Sequence, residues 1–175
     1  SSAWSAPPDL PVSGRPVVAL SLAVNYALGH YRVFGYHVFN LLVHVLNAWL
    51  VFAVVRRTLA GPGEVRGGEG PALAAAAIWA VHPLGSEAVV YVIQRTELCA
   101  SFFVLASLYL AVRGWDTGPG GRRWHVASVA ACVLGVLSKE IAVAIPPLVL
   151  LYDRAFVSGS FRAALARHRG LHAGL

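Results

Sequence analysis

The residues best suited to catalysis or ligand binding lie in one stretch, 82–97, which reads HPLGSEAVVYVIQRTE. It contains His82, Glu87, Arg95 and Glu97, and long apolar runs flank it on both sides. Carboxylates and imidazoles act as general acids and bases, and arginine binds phosphate oxygens through its guanidinium fork. Ionisable groups at membrane depth cost roughly 2.5 to 3.5 kcal/mol each, so they indicate a functional site. We predict that this stretch forms part of the wall of an outward-facing polar cavity in a membrane enzyme.

Each of these charged groups also has a purely structural explanation. Arg95 and Glu97 can pair with each other at a helix start, where the helix dipole favours an acidic residue. His82 can end a helix ahead of the proline that follows it. Lys139 and Glu140, a second charged pair further along the chain, can extend towards the lipid headgroups. From residue types alone, both explanations stand for each group.

The composition indicates a membrane protein. The 175 residues are 57% hydrophobic and 13% charged, with a mean hydropathy of +0.64, whereas soluble domains are about 25% charged. A net charge of +6 on a soluble protein would suggest nucleic acid. Here the arginines lie in short loops between apolar runs, so we predict a lipid bilayer and no nucleic acid as partner. The chain has no methionine, and we expect it to be an internal piece of a longer protein.

The apolar runs predict an all-α, polytopic membrane helical bundle with about five transmembrane segments, since about 20 helical residues cross the hydrocarbon layer. The expected segments, within a bundle over 36–157, are 36–58, 72–92, 97–113, 124–138 and 141–156. Residues 1–35 are predicted to be an outer loop in which 17–28, too short to span, forms an interfacial helix ended by Gly29. Residues 158–175 are predicted to form a basic cytoplasmic tail on the membrane surface.

Two of the segments must bend or break. Pro83 is expected to kink or break the helix over 72–92, because proline lacks the backbone N–H that a helix needs. Over 124–156 two interpretations remain: one kinked helix, or two short helices that meet at a turn around Lys139. We favour the second, because it gives five crossings with consistent charge sidedness.

The distribution of basic residues predicts the orientation. If the first segment runs from outside to inside, most arginines fall in inner loops and in the tail, as the positive-inside rule requires. The ionisable residues suited to catalysis or binding then lie on the outer side of the membrane. Together with an arginine-rich, lysine-poor composition typical of GC-rich bacterial genomes, this predicts a multi-pass protein of the bacterial plasma membrane with its active face outward.

Polar residues and cysteines within the segments have structural explanations. Four polar residues of the first segment are spaced three, four and three apart, on one helical face: His37, Asn40, His44 and Asn47. We predict that this stripe joins helices and does not bind a metal. Cys99 and Cys132 both lie within apolar runs and are predicted to be buried free thiols.

Four blocks of the sequence resemble, in order, the transmembrane and tetratricopeptide-repeat O-mannosyltransferases and their bacterial relatives, within the GT-C superfamily of membrane glycosyltransferases. The blocks are RPVVALSLAVNYALG, FGYHVFNLLVHVLNAWLVFAVVRR, AAAIWAVHPLGSEAVVYVIQRTELCASFFVLASLYL and LGVLSKEIAVAIPPLVLLYD. The resemblance covers about residues 14 to 156. It is most specific in HP-x-x-x-E-x-V…R-x-E and KE-x-A…P-x-x-x-L-Y-D. It implies a helical bundle that transfers a sugar, with mannose as the candidate, from a polyprenyl-phosphate donor to a protein or glycan acceptor at the outer face.

The resemblance also implies roles for individual residues. Arg15 matches an arginine that precedes proline at the end of the first outer loop. Arg95 and Glu97 match the arginine and the acidic residue that open the fourth helix, and Lys139 matches a lysine that contacts the lipid phosphate. The predicted catalytic residues are Glu97, Glu87 and His82, and the predicted phosphate-binding residues are Arg15, Arg95, Lys139 and Glu140. No metal ligand or certain cofactor is predicted, and the use of a divalent metal ion is left open.

One part of the family pattern is missing from the sequence. These enzymes carry their main catalytic aspartate early in the first outer loop, but here only Asp9 precedes the first segment, in an unmatched proline-rich context. We expect the aspartate and the tetratricopeptide repeats to lie outside this chain, which alone is then inactive. Two other classes remain as alternatives: a transporter or channel whose pathway the polar stripe and broken helices line, and a non-catalytic membrane scaffold.

Overall fold

The computed structural model describes residues 14–60 and 68–175 of the chain. These residues form nine α-helices and no β-strand, which confirms the all-α prediction. The helices are α1 (Pro16–Gly29), α2 (Val33–Ala60), α3 (Glu69–Val81), α4 (Pro83–Val90), α5 (Arg95–Thr117), α6 (Arg122–Val136), α7 (Ile145–Tyr152), α8 (Phe161–Arg167) and α9 (Arg169–Gly174). Short 3-10 turns precede α5, α6 and α7, and a π-helical turn, Asp153–Ser158, follows α7. Asp9 and the other residues of the predicted outer loop before residue 14 lie outside the described residues.

Three stretches of the described chain are long and apolar enough to cross a membrane. They are Val33–Ala60, Val92–Val136 and Glu140–Ser158, while α1 and α3 are shorter apolar helices. Together with the apolar composition, they make the chain part of an integral membrane protein. The helix expected over 17–28 is present as α1 and ends at Gly29, as predicted. Its interfacial position, the five crossings and the division into three regions stay predictions.

Both expected helix breaks are present. His82 is extended (φ −64°, ψ 131°) between α3 and α4, and Pro83 is the first residue of α4. Lys139 is also extended (φ −162°, ψ 143°), between α6 and the 3-10 turn that leads into α7. Of the two interpretations of 124–156, the structure therefore has two separate helices that meet at Lys139.

α2 buries its polar face and exposes its apolar one. Asn40, His44 and Asn47 are buried, and all three bond to carbonyl oxygens of neighbouring helices. Nε2 of His44 is 2.9 Å from the oxygen of Ala80, and Nδ2 of Asn47 donates to the oxygen of Leu98 at 3.2 Å. The opposite face exposes Leu41, Leu42, Val45, Leu46 and Trp49. Only lipid solvates such an apolar face well. The polar stripe on the other side of α2 joins it to neighbouring helices, as predicted.

The apolar core lies where α2, α5, α6 and α7 meet. It contains Leu50, Val54, Leu108, Val112, Cys132, Ile145, Val149 and Leu171. Leu171 belongs to α9, so the tail predicted to lie on the membrane surface also contributes to the core. Cys99 and Cys132 are buried free thiols, as predicted.

Glycine allows α5 and α6 to approach closely at the turn between them. A Cβ atom on Gly121 would overlap the carbonyl oxygen of Gly114, and a Cβ atom on Gly114 would overlap the ring of His125. Small residues at helix contacts let backbones touch, which is a main source of association between helices in lipid. The contact therefore has no room for a methyl group.

We expect Gly121→Ala to destabilise the protein by about 1–3 kcal/mol, because the added methyl group forces the α5 and α6 backbones apart. The measurement is thermal unfolding of the purified protein in detergent, where the midpoint should fall. Gly120→Ala is the matched control, since its Cβ atom would meet only Thr117 Cγ2 at an ordinary 3.6 Å. Equal midpoints for the two variants would show that the close contact does not limit stability.

Candidate functional site

Four of the predicted site residues form two neighbouring ion pairs. The Lys139 ammonium group donates to Oε1 of Glu97, in the first turn of α5. Arg15 Nη2, just before α1, lies 3.3 Å from Oε1 and 3.4 Å from Oε2 of Glu140. Since Lys139 and Glu140 are consecutive, one turn of backbone holds both pairs and links the starts of α1 and α5. We call Arg15, Glu97, Lys139 and Glu140 the four-charge cluster.

The cluster is partly open to its surroundings. The side chains of Arg15 and Lys139 are 25% and 21% exposed, while that of Glu140 is 75% exposed. The four formal charges cancel, so an anion can bind only where a carboxylate gives way. An exposed ion pair contributes little to stability, so replacing Glu140 by a phosphate oxygen at Arg15 costs little. The arrangement can therefore exchange a carboxylate partner for a phosphate.

Arg95 is fully buried and serves as a junction between three helices. Its Nε donates to Oδ1 of Asn40 at 3.0 Å, and its Nη2 donates to the carbonyl oxygen of Tyr36 at 3.2 Å. Its Nη1 donates to Oδ1 of Asn25 at 2.6 Å and reaches Ser21 Oγ at 3.4 Å. All three nitrogens of the guanidinium group thus bond to α1 and α2.

This junction sets the position of the first turn of α5. The guanidinium carbon of Arg95 lies 4.3 Å from the centre of the Phe39 ring, and Asn40 donates onward to the carbonyl oxygen of Val89 in α4. Glu97 follows Arg95 by two residues, so its position depends on the junction. The suggested pairing of Arg95 with Glu97 is wrong, because the partner of Glu97 is Lys139. The phosphate contact expected of Arg95 stays a prediction.

His82 and Glu87 lie apart from the four-charge cluster in sequence, at the break between α3 and α4. Both side chains are exposed. The backbone N–H of His82 donates to the carbonyl oxygen of Trp79 at 3.3 Å, so His82 ends α3. No described residue forms an ion pair with the Glu87 carboxylate. The catalytic roles expected of the two residues stay predictions.

An apolar groove of about 180 Å³ lies between α1, α2 and α5. Its walls include Val17, Phe39, Val43 and Phe102. Cys99 also lines it, two residues after Glu97 in α5. The groove therefore begins within one helical turn of the four-charge cluster, which places an apolar surface beside a charged one.

A second polar cluster lies beyond the opposite end of α5. Oδ2 of Asp153 is 2.8 Å from Nδ1 of His168 and 2.8 Å from Nε2 of His172. In the described part of the chain, these three residues are the only group of three or more His, Cys, Asp or Glu side chains close enough together to share a metal ion. None of the three is among the residues predicted from the sequence, although the four-residue spacing of His168 and His172 is a usable signal.

Comparison with known proteins identifies the family. A family model described as dolichyl-phosphate-mannose-protein mannosyltransferase matches residues 9–175. The chain belongs to this family. The resemblance to O-mannosyltransferases found in the sequence is thereby confirmed.

Several animal members of the O-mannosyltransferase group are similar to this chain. The protein O-mannosyl-transferase Tmtc2 of Drosophila melanogaster is 32% identical over 146 residues, covering 81% of this chain and 15% of that protein. Human TMTC2, named likewise, is 30% identical over 146 residues, covering 81% of this chain and 16% of that protein. Mouse TMTC4 is 31% identical over 173 residues, with 91% and 23% covered. The chain thus spans less than a quarter of each of these relatives, and no solved structure matches it.

Proposed function

We propose that this chain is the donor-binding part of a GT-C membrane glycosyltransferase that moves mannose from a polyprenyl-phosphate donor to a protein or glycan acceptor. Membership of the mannosyltransferase family supports the reaction class. The observation that carries the proposal is the pairing of Lys139 with Glu97, next to the pairing of Arg15 with Glu140. These pairs bring two cations to consecutive residues of one backbone turn, and lysine and arginine are the side chains that bind phosphate groups.

In this proposal the donor phosphate is held by Lys139 and Arg15. Lysine meets a phosphate oxygen as a point charge, and arginine meets it through two parallel N–H groups. Glu140 is the most exposed member of the four-charge cluster and moves aside when the phosphate arrives. Arg95 positions the first turn of α5 and, through it, Glu97.

The transfer step joins the acceptor hydroxyl oxygen to the anomeric carbon of mannose. The bond from that carbon to the phosphate oxygen breaks, and its electron pair leaves with the polyprenyl phosphate. The hydroxyl proton passes to a carboxylate base, which we assign to the family aspartate outside the described residues. Glu97 orients or assists that base, and Glu87 and His82, exposed at the α3–α4 break, line the acceptor side.

The lipid part of the donor has a matching surface beside the phosphate position. The apolar groove between α1, α2 and α5 begins next to the four-charge cluster. A polyprenyl phosphate has the same order of parts, a charged head followed by an apolar chain. We assign the first isoprenoid units to this groove. We further propose that the protein lies in a bacterial plasma membrane with its active face outward.

The choice of donor tests the proposal directly. We expect the full-length protein, purified in detergent, to transfer labelled mannose to an acceptor peptide from polyprenyl-phosphate mannose and not from GDP-mannose. Arg15→Ala should lower kcat/KM for the lipid donor roughly 10- to 100-fold, because a charge-assisted hydrogen bond contributes about 1.5–3 kcal/mol. Arg32→Ala, at an exposed arginine near the start of the described chain, is the control. Transfer from GDP-mannose, or an unchanged rate in a folded Arg15→Ala variant, would contradict the assignment.

A further inference from the structure

We propose that Asp153, His168 and His172 bind Zn²⁺, at a site separate from the transferase site. One carboxylate oxygen and two imidazole nitrogens form a donor set that Zn²⁺ favours. Trp115 lies near the end of α5, and its ring centre is 5.4 Å from that of His168. Glu97 lies 18 residues earlier in α5, which corresponds to a rise of about 27 Å. The two sites are thus at opposite ends of the same helix.

The ligand atoms already converge on one point. The nitrogens of His168 and His172 are each 2.8 Å from the same oxygen of Asp153, and all three atoms lie within 4.8 Å of one another. With Zn²⁺ bonds of about 2.0–2.1 Å, a tetrahedral site places its ligand atoms about 3.3–3.4 Å apart. Each imidazole nitrogen therefore has to move about half an ångström away from the carboxylate oxygen, and the two nitrogens have to take up the same spacing from each other. His172 follows His168 by four residues, so both can face one ion.

Burial and a neighbouring hydroxyl prepare the carboxylate for a cation. The side chain of Asp153 is fully buried, and those of His168 and His172 are 14% and 7% exposed. Ser158 Oγ donates to Oδ1 of Asp153 at 2.7 Å, which leaves Oδ2 directed at the imidazoles. Carboxylates that bind metals are commonly held in this way by a further hydrogen bond. A buried carboxylate also needs a compensating charge, which Zn²⁺ supplies.

A third histidine lies near the cluster. The ring of His125 lies 6.3 Å from that of His168, and its Nε2 is buried without a hydrogen-bond partner in the structure. The arginines next to the site in sequence are exposed, and the guanidinium carbon of Arg154 stacks 4.7 Å from the centre of the Phe161 ring. These arginine side chains therefore do not occupy the space between Asp153, His168 and His172.

The position of the ligands gives the ion a structural effect. Asp153 follows α7, whereas His168 and His172 belong to the segment of α8 and α9. α9 places Leu171 in the core. A Zn²⁺ ion at this point therefore fastens the C-terminal segment to the transmembrane helices.

Metal titration of the full-length protein tests the site. The protein is purified through a tag without histidine, stripped with a chelator and titrated with Zn²⁺ or Co²⁺. We expect one ion per chain and the visible absorption bands of tetrahedral Co²⁺. His168→Asn and His172→Asn should weaken binding at least about tenfold, while His37→Asn, a histidine of α2, should leave it unchanged.

A stability measurement covers the case in which a variant folds poorly. For the wild-type protein, we expect the chelator to lower the thermal midpoint and Zn²⁺ to restore it. Asp153→Asn keeps the shape of the side chain and should remove this response. A wild-type protein that binds no stoichiometric ion, and whose midpoint ignores both chelator and Zn²⁺, would overturn the proposal. The three residues would then form a hydrogen-bonded contact only.

Discussion

Lys139→Ala in the full-length protein is expected to lower mannose transfer by about 10²- to 10³-fold, the typical effect of losing one group that stabilises charge in the transition state. The leaving polyprenyl phosphate gains negative charge as its bond to the sugar breaks. The Lys139 ammonium group, held at the turn before α7 by its bond to Glu97, compensates that charge in our proposal. The measurement is kcat with saturating lipid donor, so that weaker donor binding does not account for the loss.

Glu97→Gln tests the Lys139–Glu97 ion pair while the Lys139 ammonium group is kept. The amide keeps the size of the side chain but loses its charge, so Lys139 is held less firmly and the predicted assistance to the base is lost. We expect a loss of activity smaller than that of Lys139→Ala. Arg123→Ala, in the first turn of α6, is the control and should transfer mannose normally. Wild-type transfer by both Lys139→Ala and Glu97→Gln would contradict these assignments.

Arg95→Met is expected to destabilise the protein by about 3 kcal/mol or more, because each buried acceptor left without a partner costs about 1–3 kcal/mol. The oxygens affected are Oδ1 of Asn40, which is buried, and Oδ1 of Asn25 and the carbonyl oxygen of Tyr36, which are partly buried. Thermal unfolding in detergent measures the effect. Methionine replaces the aliphatic part of the arginine side chain, so the loss reports the guanidinium group, its hydrogen bonds and the space that it fills.

Arg95→Lys distinguishes a positioning residue from a phosphate ligand. Lysine keeps the positive charge but cannot donate in the three directions that α1 and α2 require. If Arg95 positions α5, this variant should lose thermal stability as well as activity, with the KM for the lipid donor little changed. A normal midpoint together with a strongly raised donor KM would instead assign Arg95 to the phosphate.

The sequence by itself determined the features that depend on near neighbours in the chain. The helices follow from apolar runs of the right length, and the buried stripe of α2 follows from spacings of three and four residues. The break at Pro83 follows from covalent chemistry, since proline has no N–H to donate. The motifs around Arg95 and Lys139 were also sufficient to indicate the family.

Only the tertiary structure decided which of these groups meet. Lys139 pairs with Glu97, 42 residues away, and Arg15 pairs with Glu140, 125 residues away. Charge is a property of the residue, but pairing depends on how α1, α5 and the turn before α7 pack, which no local period encodes. The packing of α1 and α2 against α5 likewise makes Arg95 a buried junction between these three helices. The packing of α9 against the bundle brought His168 and His172 to Asp153.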